Sequence, residues 1–258
     1  MAIDLKQGDT FEQMKFIADQ SVDLVCVDPP YGTTLCNWDS VLDWDLLWSE
    51  YERVLTPKGQ VVLFASQPFT AAAVMSKPDW FRYELIWHKN KCGSPGLAKK
   101  RVMKVHENVL VFSKLTGCTY NPIMEKGDPY SRPAENGYQG KHNRHKYGFK
   151  GQKIENSGTR YPKSVVFAPR NFSAQQQEHP TQKPTTLLDW LLETYSNPGD
   201  TVLDNTMGSG SCGVSAVQTG RSFIGIERDP AFFDIAKKRI EAAEVGSCAE
   251  EVNTQYKR

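Results

Sequence analysis

None of the six cysteines, Cys26, Cys36, Cys92, Cys118, Cys212 and Cys248, forms a C-x-x-C pair or a regular spacing. That favours free thiols in a reducing compartment over a secreted disulfide framework. His88, Cys92, His106 and Cys118 match no standard zinc spacing, so no metal is expected. No apolar run approaches the roughly 18 residues of a membrane helix, and Met1 to Phe16 carries Asp and Glu where a leader would be apolar. A cytoplasmic protein is the expectation. Charge of one sign is also missing: 31 Lys and Arg meet 30 Asp and Glu, and a net charge of +1 names no partner. There is no internal repeat, which excludes solenoids and propellers.

What is present alternates. Ile3 to Leu5 and Val22 to Val27 read as strands around a helix near Phe11 to Ala18, and Leu46 to Leu55 has helical spacing. Pro57-Lys58-Gly59 reads as a turn before a buried strand, Val61 to Phe64. A helix at Phe69 to Met75 and strands at Tyr83 to Trp87 and Asn108 to Phe112 follow. Further on come a helix from Pro184 to Thr194, strands Thr201 to Leu203 and Phe223 to Ile226, and a last helix from Pro230 to Ala243. Strands alternating with helices predict an α/β fold. A chain of 258 residues buries about three quarters of its unfolded surface, enough for one main domain with an insertion.

Asp28-Pro29-Pro30-Tyr31 follows a buried strand. A Pro-rich turn would account for the same four residues, yet the set also suits chemistry on a flat, amino-bearing base. The lone pair of an exocyclic amino group is delocalised into its ring, so an enzyme must hold the N–H groups with acceptors. The Asp28 carboxylate and the Pro29 carbonyl are candidates, because proline removes a competing donor and fixes φ. Tyr31 offers a face on which a flipped base can stack.

A second site comes late. Strand Thr201 to Leu203 runs into Asp204-Asn205-Thr206-Met207-Gly208-Ser209-Gly210-Ser211-Cys212-Gly213, then a helix from Val214, the strand ending at Ile226, and Glu227. The glycines let backbone approach a ligand, and a carboxylate after the next strand can accept ribose hydroxyls, so a ribose-bearing cofactor is implied. Gly208, Gly210 and Gly213 also satisfy the dinucleotide pattern G-x-G-x-x-G, and glycines that merely close a tight turn would give the same run. In an open parallel sheet Asp28 and Asp204 can share one crevice at the carboxyl ends of their strands.

Gly8-Asp9, Asp28 to Tyr31, His106-Glu107-Asn108, His179-Pro180-Thr181-Gln182-Lys183-Pro184 and Asp204 to Gly210, in that order, resemble the S-adenosylmethionine-dependent DNA amino-methyltransferases of the beta class. The resemblance covers nearly the whole chain. It implies a Rossmann-like open, mostly parallel twisted sheet with helices on both faces and an inserted target-recognition region. It further implies base contacts from Asp28, Pro29, Pro30 and Tyr31, and S-adenosylmethionine held by Asp9, Asp28, Thr181, Lys183, Asp204, Gly208, Gly210 and Glu227. Thr206 departs from the phenylalanine usual in the family. Asp rather than Ser at position 28 resembles adenine-N6 enzymes more than cytosine-N4 enzymes, which share the constellation.

The organisation that follows is a catalytic half at 1–114, a basic insertion at 115–175, a cofactor half at 176–245 and a frayed tail at 246–258. The insertion carries ten Lys and Arg against four Asp and Glu, with aromatic residues interleaved from Tyr138 to Lys150. A second basic run, Lys89 to Lys104, contains no acid. Both suit contact with double-stranded DNA, and a solvated surface would look the same. A homodimer is implied by resemblance alone. A nicotinamide oxidoreductase would use the glycine loop but leave Asp28 to Tyr31 idle, and a non-catalytic DNA-binding module would leave the cofactor pocket idle.

Overall fold

The computed structural model describes residues 1–32, 40–93, 95–132, 153–169 and 182–255. The chain divides into two compact units, Met1–Asn121 with Ser164–Arg258, and Pro122–Lys163.

The larger unit is built on an eight-stranded sheet. Its elements are β1 (Ile3–Gln7), α1 (Thr10–Met14), β2 (Val22–Val27), α2 (Trp44–Val54), β3 (Leu55–Ala65), α3 (Phe69–Ser76), β4 (Phe81–His88) and β5 (His106–Ser113). In the smaller unit, β6 (Glu125–Lys126) and β7 (Tyr130–Arg132) pair antiparallel with β9 (Thr159–Arg160) and β8 (Ile154–Asn156) respectively. The larger unit resumes with β10 (Val165–Phe167), α4 (Thr185–Tyr195), β11 (Thr201–Asp204), α5 (Ser211–Gln218), β12 (Ser222–Glu227) and α6 (Pro230–Gln255). The sheet order is β1-β12-β11-β2-β3-β5-β4-β10, parallel except where β5 runs against β3 and β4.

Side chains on a strand alternate between faces, and the cores follow that rule. Leu24, Cys26, Val62 and Phe64 pack under α4, α5 and α6 through Leu187, Leu191, Ala216 and Ile240. Val25, Val27, Val61 and Leu63 pack under α1, α2 and α3 through Met14, Leu47, Tyr51 and Ala73. A strand buried on both faces shows a continuous apolar run, which is why Val22 to Val27 carries no polar alternation beyond Asp23.

Three details differ from the sequence reading. Pro57-Lys58-Gly59 lies inside β3, where the pairing with β2 jumps from Val22↔Leu55 to Leu24↔Gln60. The segment is a bulge that absorbs the proline's missing donor rather than a chain reversal. Helix α1 is a single short turn capped by Asp9, ending at Met14 rather than Ala18. Helix α6 continues to Gln255, past Ala243. Among the described residues no helix is long and apolar enough to cross a membrane. The basic aromatic run Tyr138 to Lys150 lies outside the described residues.

Candidate active site

Strands β1, β12, β11 and β2 lie side by side and parallel, so the residues that follow them meet at one edge of the sheet however far apart they are in sequence. Gly8 and Asp9 follow β1, Glu227 closes β12, Asp204 closes β11 and Asp28 follows β2. Because β5 is antiparallel, its first residues reach that same edge, where Glu107 pairs in register with Trp87. A cavity of about 560 Å³ opens there, lined by these residues together with Pro29, Pro30, Tyr31, Phe64, Lys183, Thr206, Gly208 and Phe232. Its size suits a cofactor-sized ligand.

Both oxygens of the half-buried Asp28 carboxylate already carry a donor. The Tyr31 hydroxyl donates to Oδ1 at 2.7 Å and the Lys183 ammonium donates to Oδ2. The ring of Tyr31 leans on Phe69, with centroids 4.9 Å apart, which fixes its tilt. Lys183 also lies 3.6 Å from Glu107 Oε2, and the other Glu107 oxygen accepts from Lys89. The result is a row of alternating charge, Asp28, Lys183, Glu107 and Lys89, in which each internal member faces two opposite charges. A carboxylate with charged donors stays an acceptor and keeps its direction.

The glycine-loop side is arranged around two acids. Asp204 is buried, and burial, the largest cause, pushes its carboxyl up to about 8. The Thr206 N–H opposes that shift, whereas the charges of Asp28 and Glu227 add to it. Glu227 is shifted upward too, first by burial, against the pull of the backbone N–H groups of Asp229, Gly208 and Arg228. Gly208 N–H meets its Oε2 at 2.9 Å and Asp229 N–H its Oε1 at 2.8 Å. Three N–H donors on two oxygens leave the carboxylate one lone pair to spare.

The sequence-named residues are placed as follows. Asp28, Pro29, Pro30, Tyr31, Asp9, Lys183, Asp204, Gly208 and Glu227 all line the one cavity. The Asp9 carboxylate is engaged as the cap of α1, accepting from Phe11 N at 2.9 Å. Gly210 stands behind the lining at the start of α5 with φ +77°, its Cα turned to α6, where an added Cβ would come within 2.8 Å of Ala236 Cβ. Lys183 touches the Asp28 carboxylate rather than standing apart on the glycine-loop side. Thr181 lies outside the described residues. Thr206, the departure from the family pattern, ties the two motifs together: its hydroxyl donates to the Asp28 carbonyl at 3.2 Å and its N–H to Asp204 Oδ1 at 3.1 Å.

Six acidic side chains line the cavity, Asp9, Asp28, Glu107, Asp204, Glu227 and Asp229, two of them, Asp204 and Glu227, pushed by burial toward the neutral form, against Lys183 and Arg228. Such a wall favours a ligand with positive charge.

Comparison with known proteins identifies the family. A DNA methylase family matches residues 22–238. The chain belongs to the DNA methylase family. The DNA adenine methyltransferase YhdJ of Escherichia coli (strain K12) is 30% identical over 92% of the chain and 82% of its own length. The Type II methyltransferase M.HinfI of Haemophilus influenzae is 26% identical over 91% of the chain and 67% of its own length. Among solved structures, the M1.HpyAVI–SAM complex superposes with a TM-score of 0.64 at 24% identity, covering 92% of the chain and 98% of its own. That likeness is one of fold.

The methylase also contains site residues to which the sequence reading gave no role. Glu107 opens a strand among apolar residues, and only the reversed direction of β5 brings it to the crevice. Phe232 and Pro230 line the cavity from the first turn of α6, beyond the acid at position 227. Arg239, one helical face further, donates to the Ser209 carbonyl and to Ser211 Oγ, bracing the loop from behind. The sequence of that helix gives no sign of the contact.

Proposed function

We propose that the methylase transfers a methyl group from S-adenosylmethionine to the N6 amino group of adenine in double-stranded DNA, after the base has been flipped out. The observation that carries this reading is the Asp28 carboxylate, aimed by Tyr31 and Lys183 into the mouth of an acidic cavity. Adenine rather than cytosine is supported by the relative named as a DNA adenine methyltransferase.

The residues present fit the cofactor. The six acidic side chains suit a molecule that carries a sulfonium and an ammonium, Glu227 has a lone pair left for a ribose hydroxyl, and Phe232 with Pro230 supplies an apolar end for the adenine ring. When bound, S-adenosylmethionine supplies an electrophilic methyl group whose carbon–sulfur bond breaks as the nitrogen–carbon bond forms. The chain's part is positioning. Asp28 and the Pro29 carbonyl accept the two N6–H groups and draw the nitrogen lone pair out of the ring plane, while Tyr31 stacks on the base. The proton that N6 then sheds has an acceptor in Asp28. Orienting two reactants in this way accounts for most of the barrier reduction without a covalent enzyme intermediate. Asp204, Gly208 and Asp9 hold the cofactor's side of the cavity, with Gly210 setting the loop's course. Lys183 serves Asp28 first and faces the cofactor second.

The deciding experiment is incubation with methyl-labelled S-adenosylmethionine and unmethylated duplex DNA, followed by nucleoside mass spectrometry. N6-methyladenine is the expected product. N4-methylcytosine would keep the clamp and change the base, and unlabelled DNA would overturn the proposal.

A further inference from the structure

The loop between β4 and β5 returns to the edge of the sheet that holds the active site. Its base is laddered by Lys89 N–H to the Val105 carbonyl at 2.8 Å and Gly93 N–H to the Lys104 carbonyl at 2.9 Å. Of its cations, Lys89 has a carboxylate partner in Glu107. Lys104 has none within 4.0 Å among the described residues, because the nearby Glu107 is already shared by Lys89 and Lys183. Yet Lys104 is half-buried, and burial, the largest cause, lowers its ammonium's proton affinity; the Glu107 charge opposes that, and Lys89 and Arg101 add repulsion. A partly desolvated cation beside two others is costly without an anion.

The surroundings of Lys104 are those of an anion site. Its Nζ donates to Ser66 Oγ at 2.6 Å. Ser66 leads from the end of β3 into α3, whose first turn has no side-chain cap; the Thr70 and Ala71 N–H groups are given to the Ser66 and Pro68 carbonyls, and the Phe69 N–H has no backbone acceptor among the described residues. The first residue of that helix, Phe69, is the ring against which Tyr31 leans. A ligand at Lys104 and Ser66 therefore sits beside the base-handling motif.

Resting on the reading of the methylase as a base-flipping enzyme, we propose that Lys104, with Ser66 and the Phe69 N–H at the start of α3, binds a backbone phosphate of the DNA strand that carries the target nucleotide. The ligand class is a phosphodiester monoanion. Holding it anchors the strand while its base enters the Asp28 pocket.

The test is steady-state methylation of unmethylated mixed-sequence duplex DNA by the full chain over a range of salt concentrations. Lys104→Gln should raise KM for DNA about tenfold, as loss of a charge-assisted contact does, with kcat and S-adenosylmethionine affinity held. The slope of log kcat/KM against log salt should fall by about one unit. Lys104→Arg should restore both, and Lys58→Gln, at the opposite end of β3, should change neither. An unaltered KM and slope in Lys104→Gln would overturn the phosphate site, as would a loss that follows thermal stability and is not rescued by arginine. Wild-type protein that leaves DNA unmethylated would overturn the proposed function, and this inference with it.

Discussion

Cofactor binding should release a proton, and Asp204 is the group that sheds it. In the folded chain its carboxyl titrates at about 8 because it is buried between Asp28 and Glu227, against an ordinary value of about 3.9 in an unfolded chain. Between those limits the folded state keeps a proton that the unfolded state has lost, so the contribution of Asp204 to stability is complete below about pH 4 and falls as pH rises to 8. At about 1.4 kcal/mol per unit over roughly four units, the loss is on the order of 5 kcal/mol. A cation against Asp204 reverses the preference. At pH 7 roughly nine molecules in ten carry the proton, so binding of S-adenosylmethionine should release up to about 0.9 protons. Isothermal titration calorimetry at pH 7 in phosphate and in Tris reads this directly, since released protons are taken up by buffers of unlike ionisation enthalpy. Asp204→Asn should abolish the difference between buffers and flatten the dependence of unfolding free energy on pH from 5 to 8. A wild-type binding enthalpy that is the same in both buffers would refute the reasoning.

Other substitutions separate the parts of the site. Asp28→Ala should bind S-adenosylmethionine with near wild-type affinity by calorimetry while kcat falls about a hundredfold or more; retained turnover would remove Asp28 from the mechanism. Gly210→Ala places a methyl at φ +77° against Ala236, and urea denaturation should show a loss of about 2–4 kcal/mol. Tyr51→Phe deletes a buried hydroxyl that donates to Asn205 Oδ1 at 2.7 Å, which should cost about 1–2 kcal/mol in the same assay.

The strands were readable wherever burial on both faces made them continuously apolar, as at Val22 to Val27 and Val61 to Phe64. The acids that end them were readable because a charge directly after such a run has nowhere to be except the edge of the sheet. Glu107 was not readable in the same way. It precedes its apolar run, and its place in the crevice depends on β5 running against its neighbours, which strand pattern does not encode. Lys183 was found but its partner was not, because the 155 residues between it and Asp28 leave no local signal of an ion pair. The helix ends were set by caps and tertiary packing: α1 stops at Met14 although apolar residues continue to Ala18.

The glycine pattern shows how one sequence signature can serve two chemistries. In a dinucleotide site the second glycine lets backbone approach a pyrophosphate, and the third lets helix and strand pack closely. Here the third, Gly213, does that packing, since an added Cβ would lie 2.7 Å from a ring carbon of Phe223. The second, Gly210, serves packing as well, against α6. Only Gly208 faces the cavity, and its N–H is given to Glu227. A pyrophosphate placed at this loop would therefore bring two negative charges toward Asp204 and Glu227, both of which burial already pushes toward the neutral form. Each added negative charge would force a proton onto those acids, whereas a sulfonium or ammonium lets them ionise. On the proposed function the acids select the cofactor by sign, while Gly210 and Gly213 let α5 pack closely on α6 and β12.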